Sequence, residues 1–195
     1  RLAGFEPADP AMIVGSIGRL APQKGYDILL EAAPELIRRG VRIVVLGSGE
    51  PALEGSMRLL EAHYPRRFKG FVGYDDALSH KIQAGSDVLA VPSRYEPCGL
   101  TQMYALAYGT VPVVRRTGGL ADTVDDYHPR AGKGTGFLFD EYTAGALVAC
   151  VKRALKVYHD PNRWKSILKA GMQVDFSWRN SAKEYVKVYH KALHK

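Results

Sequence analysis

The stretch Gly18-Arg19-Leu20-Ala21-Pro22-Gln23-Lys24-Gly25 sets two cations in one short segment just ahead of an apolar-periodic run. A helix N-terminus attracts anions through its free N–H groups and its dipole. Arg19 and Lys24 beside such a terminus suit a diphosphate, although in isolation two plain surface cations fit equally well. A second stretch, Pro92-Ser93-Arg94-Tyr95-Glu96-Pro97-Cys98-Gly99-Leu100-Thr101, holds Glu96 between two prolines that stiffen its approach. A carboxylate held in that frame is expected to face the same side as the cations. Cys98 stands close to a helix start, where a thiol pKa can fall. No His lies near it in sequence, so it reads as a packing or positioning residue rather than a nucleophile.

Three further segments belong to the same set. Gly73-Tyr74-Asp75 offers an aromatic ring able to stack on a base, an interaction worth about 1–3 kcal/mol; a partly packed tyrosine is the bland alternative. Arg115-Arg116-Thr117-Gly118-Gly119-Leu120 places paired glycines before a helix, where backbone can approach a ligand and offer N–H groups to an anion; the alternative is a plain turn. Gly47-Ser48-Gly49-Glu50-Pro51-Ala52 imitates a dinucleotide fingerprint. That reading needs an acidic residue about 20 positions on, and position 67 is Arg. A nicotinamide site is therefore rejected, and a tight turn accounts for the glycines. The sequence has no Asp-x-Asp, so a metal–diphosphate motif is missing and no metal is expected. His190 and His194 have metal-ligand spacing, but no carboxylate stands beside them, and they read as solvated.

These segments need a scaffold that brings them to one edge. Met12–Ile17 reads as a short strand. From Tyr26 to Arg39 the apolar residues fall at Ile28, Leu29, Ala32, Ala33, Leu36 and Ile37, a helical period stopped by Gly40. Val41–Leu46 is a β-branched run broken only by Arg42, as in a strand buried on both faces. Then follow a helix over 53–63, a strand over 67–72, a short helix over 76–84, a strand over 87–91, a helix over 101–108, a strand over 111–114 and a sixth strand over 136–139. Helices over 143–158, 163–174 and 179–193 close the chain. Alternating short strands and helices predict an α/β fold: a Rossmann-like, doubly wound, mostly parallel sheet of about six strands with helices on both faces. In such sheets ligands bind beyond the carboxyl ends of the strands, where the segments above would lie.

Composition agrees with one globular domain over 1–195. Hydrophobic residues make 46 % and charged residues 24 % of the chain. At this size roughly 70 % of the unfolded surface can be buried, so the core needs no staples. No apolar run approaches the roughly 20 residues of a membrane helix, and Arg1-Leu2-Ala3-Gly4-Phe5 is no signal peptide. With no Met at its start, the chain reads as a segment of a longer protein. Two cysteines, Cys98 and Cys150, are too few for a disulfide framework and fit a reducing compartment. The net charge of +7 is spread along the chain without a nucleic-acid motif, so no nucleic-acid or membrane partner is expected. Together the segments suit a nucleoside diphosphate whose bond to a third group is being broken.

Pro92-Ser-Arg-Tyr-Glu-Pro-Cys-Gly-Leu-Thr-Gln-Met-Tyr104 strongly resembles bacterial glycogen synthases and plant starch synthases, and so does Gly109-Thr-Val-Pro-Val-Val-Arg-Arg-Thr-Gly-Gly-Leu-Ala-Asp-Thr-Val124. The 18–25 stretch and Asp175-Phe176-Ser177-Trp178 are similar too. The resemblance implies one half of a GT-B glycosyltransferase, the C-terminal donor-binding domain, whose final helix (179–195) packs on an absent N-terminal domain that carries most acceptor contacts. It implies transfer of glucose from ADP-glucose, as substrate rather than cofactor, to the 4-OH of an α-1,4-glucan with retention. Arg19 and Lys24 would hold the diphosphate and stabilise the leaving group, and Glu96 would meet the donor glucose. Gly99, Leu100 and Thr101 would run beside the phosphates and sugar, Gly118 and Gly119 would form a second glycine loop at the donor, and Tyr74 would stack on adenine. Related retaining transferases carry Glu-x7-Glu; Tyr104 occupies the second position here, as in the glycogen/starch synthase branch. The implied location is the bacterial cytoplasm, with the plastid stroma as alternative. Two other readings stay open: a retaining transferase with another nucleotide-sugar donor, and an isolated nucleotide-binding module without activity. The segment alone is expected to be inactive for lack of its acceptor half.

Overall fold

A computed structural model describes residues 3–6 and 9–193. Six parallel strands form one sheet: β1 (Ile13–Ile17), β2 (Arg42–Gly47), β3 (Phe68–Val72), β4 (Val88–Val91), β5 (Val111–Arg115) and β6 (Phe137–Phe139). Their order is β3-β2-β1-β4-β5-β6, which reverses direction of winding between β1 and β4. The crevice at that switch point, beyond the carboxyl ends, is where such sheets bind ligands. The chain order places the ends of β1 and β4, and so the residues following Ile17 and Val91, side by side there.

The helices are α1 (Tyr26–Arg38), α2 (Pro51–His63), α3 (Asp76–Gly85), α4 (Thr101–Tyr108), α5 (Gly118–Thr123), α6 (Ala144–Tyr158), α7 (Pro161–Met172) and α8 (Trp178–Leu193). The strand side chains alternate between two layers. Ile43 and Val45 join the main core with Leu29 and Leu36 of α1, Met57 of α2 and Val151 of α6. Val44 and Leu46 point the other way, onto Ile82 of α3. Val114 and Leu138 meet Leu120 of α5 on that second face. All six residues of β2 are buried, as its apolar run requires. Arg42 is the exception in type but not in burial: its guanidinium donates to the carbonyls of Glu6, Asp9 and Ala11, so the buried charge is hydrogen-bonded and pins the N-terminal segment to the sheet.

Most element boundaries shift by one or two residues from the sequence reading, and some of the shifts have a plain local cause. Helices α2 and α7 begin at Pro51 and Pro161, two residues earlier than expected. Proline is well placed at a first helical position, where its missing N–H has no partner to lose. Gly118 and Gly119 do not precede a helix; they open α5. The segment before α1 contains a 3₁₀ turn, Pro22–Lys24, invisible to a periodicity argument because it is shorter than one helical repeat. His190 lies in α8, and His194 lies outside the described residues, as does the end of the 179–195 helix.

Candidate functional site at the carboxyl edge

The centre of the site is an ion pair. Lys24 Nζ lies 2.6 Å from Glu96 Oε2, with the carboxylate side chain 10 % and the ammonium side chain 26 % exposed. Ser93 Oγ donates to the same Oε2 at 3.2 Å. Both hydrogen bonds to this carboxylate found among the described residues fall on Oε2, so Oε1 has no protein partner there.

Local structure brings the two loops to this distance. Lys24 ends the 3₁₀ turn, and Gly25 follows with φ 76°, in the left-handed region that glycine tolerates. A Cβ on Gly25 would collide with the carbonyl oxygen of Pro92. The 18–25 loop therefore rests directly on the start of the 92–101 loop. Arg94 N–H donates to Gln23 O at 2.8 Å, and Gln23 Nε2 donates to Tyr95 O at 3.2 Å, which stitches the loops on either side of the ion pair.

Behind Glu96 sits the glycine pair. Gly118 has φ 45°, and a Cβ there would strike the Glu96 carbonyl oxygen. Gly119 N–H donates to that same oxygen at 3.0 Å. The sequence reading expected these glycines to offer N–H groups to an anion. The Gly119 amide is instead committed to Glu96's backbone, and the pair acts as a close-packed support for the 96–98 segment. The glycines of 47–49 have a related use: Cβ atoms on Gly47 and Gly49 would meet the carbonyls of Gly18 and Leu20, so this turn makes room for the 18–25 loop.

Gln102 braces the candidate site, and sequence reasoning missed it. It is fully buried, and the two N–H groups of its Nε2 are shared among Cys98 O, Gly99 O and Thr123 Oγ1 at 3.2, 2.9 and 3.0 Å. It ties the Gly99 elbow, where φ is 74°, to α5. Its signal was available: Gln102 is in helical phase with Ala105 and Leu106, so a polar residue falls on the buried stripe of α4 and must find partners. The helix opens at Thr101 with no side-chain cap, leaving first-turn N–H groups directed toward the same edge. Leu100 is exposed.

Two adjoining cavities run along this edge. One, of about 60 Å³, is lined by Gly18, Lys24, Ser93, Glu96 and Thr101 among others. The other, of about 250 Å³, is lined by Gly18, Arg19, Gly47, Ser48, Gly73 and Tyr74 among others. They share Ile17, the end of β1, and Gly18 just after it. Arg19 thus belongs to the second cavity, beside Tyr74, and not to the Lys24–Glu96 pair. Tyr74 is 89 % exposed, so its ring is unburied by the protein. A larger cavity, of about 400 Å³, lies under α3 on the sheet face and is mostly apolar; it contains none of the expected site residues.

The remaining candidates are peripheral. Cys98 is exposed and Cys150 buried, with burial pushing the Cys150 thiol up to about 12. Among the described residues no cluster of three or more His, Cys, Asp or Glu could hold a metal, and no helix is long and apolar enough to cross a membrane. Helix α8 buries none of its residues; Trp178, Tyr185, Val188 and Tyr189 are all exposed on it.

Residues 5–171 match the family described as glycosyl transferases group 1. The chain is 48 % identical over 186 residues to the glycogen synthase of Koribacter versatilis, covering 95 % of the chain and 38 % of that protein. It is 50 % identical over 181 residues to the glycogen synthase of Thioalkalivibrio sulfidiphilus, covering 91 % and 38 %. Among solved structures, the catalytic domain of starch synthase IV from Arabidopsis thaliana, bound to ADP and acarbose, superposes with a TM-score of 0.85 at 34 % identity, over 100 % of this chain and 41 % of that one. A sucrose-phosphate synthase from Thermosynechococcus elongatus shares the fold at 24 % identity and a TM-score of 0.69. The chain therefore spans about two-fifths of the length of the curated relatives it matches.

Proposed function

The chain belongs to the group 1 glycosyl transferases, and from that premise we propose that it is the donor-binding domain of a retaining glucosyltransferase. The donor is ADP-glucose and the acceptor is the 4-OH of a growing α-1,4-glucan. The observation that carries this reading is the Lys24–Glu96 pair at the end of β1 and β4, with the Arg19–Tyr74 cavity adjoining it through Gly18.

In this reading Tyr74 stacks on the adenine, and the diphosphate crosses Gly18 between Arg19 and Lys24. The glucosyl unit lies at Glu96, near Thr101 and the open start of α4. Transfer breaks the bond between the sugar C1 and the β-phosphate oxygen, with the electron pair leaving on ADP. C1 bonds to the acceptor oxygen, and that hydroxyl's proton is released. Arg19, Lys24 and the α4 N–H groups stabilise charge growing on the phosphate, and fixed donors of that kind contribute more than mobile water does. Glu96 stabilises the electron-poor sugar and holds its hydroxyls. No metal is needed for the charge, because the cations are supplied by the loop. The exposed apolar residues of α8 face the acceptor-binding domain of the longer protein, and the whole enzyme works in the bacterial cytoplasm.

Calorimetry with ADP, ADP-glucose and UDP, beside a glucose-transfer assay on glycogen, tests the reading. The expected result is binding of ADP and ADP-glucose in preference to UDP, with little transfer by this segment alone. A folded chain that binds neither adenine nucleotide would overturn it. Preference for UDP would support another donor instead.

A further inference from the structure

We infer that Tyr142, on the loop after β6, is a positioning residue that holds the Lys24 loop and the Glu96 loop at their working separation. The inference rests on the donor-binding reading above. Tyr142 follows the edge strand β6, three strands away from β1 in the sheet, yet its Oη lies 2.6 Å from Asp27 Oδ1 and 3.2 Å from Pro22 O. A phenol has one proton to give. The short contact to the Asp27 carboxylate takes it, and the Pro22 carbonyl receives at most a bifurcated share. Asp27 is in the first turn of α1, and Pro22 opens the turn that ends in Lys24.

The ring of Tyr142 has a second task. Arg94, two residues before Glu96, lays its guanidinium over the ring at 4.3 Å from the centroid, and Arg115 stands 5.7 Å from the same centroid. Arg115 also donates to Arg94 O at 2.7 Å. Arg94 N–H in turn donates to Gln23 O. One side chain thus reaches the loop of Lys24 through its hydroxyl and the loop of Glu96 through its face. The phenol pKa is pushed up to about 12, by burial first and by the Asp27 carboxylate next, so the hydroxyl keeps its proton throughout the working range. An ordinary exposed ion pair contributes little. This cluster differs because two of its contacts, Pro22 and Arg94, belong to the two loops that carry the site.

The test uses Tyr142→Phe, which keeps the ring and removes the hydroxyl, and Asp27→Ala, which removes the acceptor. Losing one such hydrogen bond is expected to weaken ADP binding about threefold to tenfold. AMP, which lacks the phosphate assigned to Lys24, should bind each variant as it binds the parent. The double variant should be no worse than Asp27→Ala alone, because Asp27, whose Oδ2 also lies 3.8 Å from an Arg94 nitrogen, takes the Tyr142 link with it. Amide exchange in the ligand-free chain should speed up at Arg94, with the sheet core unchanged. Equal losses for ADP and AMP, or additive losses in the double variant, would assign Tyr142 a general structural role and refute the inference. A parent chain that binds ADP while Tyr142→Phe binds it equally well refutes the inference alone. A folded parent that does not bind ADP refutes the donor reading, and the inference falls with it.

Discussion

Lys24 and Glu96, separated by 72 positions in sequence, share one hydrogen-bonded ion pair at 2.6 Å. Each therefore supports the other. Replacing Lys24 by Ala leaves a largely buried carboxylate with only Ser93 as partner. A charge stripped of its partner in that way costs about 1–3 kcal/mol. Lys24→Ala is expected to lower urea stability by that order and to abolish detectable ADP binding. Glu96→Gln, which keeps shape and removes the charge, should stay folded with near-parental stability. In the longer enzyme it should lose transfer activity by at least about a hundredfold, the scale of one transition-state contact. A Glu96→Gln enzyme with parental turnover would remove Glu96 from the reaction.

Tyr74 offers the cleanest separation of binding from folding. Its ring is almost fully solvent-exposed, so Tyr74→Ala should leave the thermal midpoint unchanged. Loss of stacking should weaken ADP and AMP alike, by about 1–3 kcal/mol. Titration of both nucleotides against the variant checks this, and unchanged affinity would deny Tyr74 the base.

Gly25 is expected to tolerate no side chain. Gly25→Ala combines a left-handed backbone with a collision against the Pro92 carbonyl. The strain is expected to cost about 1–3 kcal/mol in denaturant unfolding and to weaken ADP binding by displacing Lys24. Gly55→Ala, in α2 with open space around it, is the control and should not destabilise the chain.

Gln102→Leu removes two N–H donors, shared by three acceptors, from a buried position while nearly conserving volume. The carbonyls of Cys98 and Gly99 lose their partner, at about 1–3 kcal/mol. Stability should fall, and hydrogen exchange should rise around Gly99 and in α5. If exchange there is unchanged, Gln102 does not hold the elbow.

Asp87 gives a pH signature away from the site. Its Oδ2 accepts the Ile13 N–H at 2.8 Å, and its pKa is raised, chiefly by burial and in spite of that bond and the nearby Arg42 charge. A carboxyl whose folded pKa lies above its unfolded value binds extra proton in the native state, so its contribution to stability declines as pH rises through that window. Asp87→Asn keeps an acceptor for Ile13 and has no charge to bury. It should be at least as stable as the parent at pH 7, with the advantage shrinking on acidification toward pH 3. An advantage that grows on acidification would reverse the assignment.

Much of the fold follows from local pattern. The six apolar positions read on α1 are all buried, and the β-branched run of β2 is buried on both faces. Those properties depend on period and side-chain type, which a linear string carries. Its shortfalls have local causes as well. A 3₁₀ turn is shorter than any period, and proline or glycine starts to α2, α7 and α5 are ambiguous between helix and loop until packing decides.

For the site, residue types and loop positions were legible, because glycines, prolines and charges mark turns near strand ends. Distances were not. The sequence alone determined that Arg19, Lys24, Tyr74 and Glu96 would lie on the carboxyl edge, since a parallel sheet leaves its strand-to-helix loops no other place. Only the tertiary structure decided that Lys24 meets Glu96 while Arg19 stands with Tyr74 in the next cavity. It alone revealed that Gly119 and Gln102 brace the Glu96 segment and that Tyr142 reaches across from β6. Such contacts join residues remote in sequence, and they are set by strand order, which local patterning does not encode.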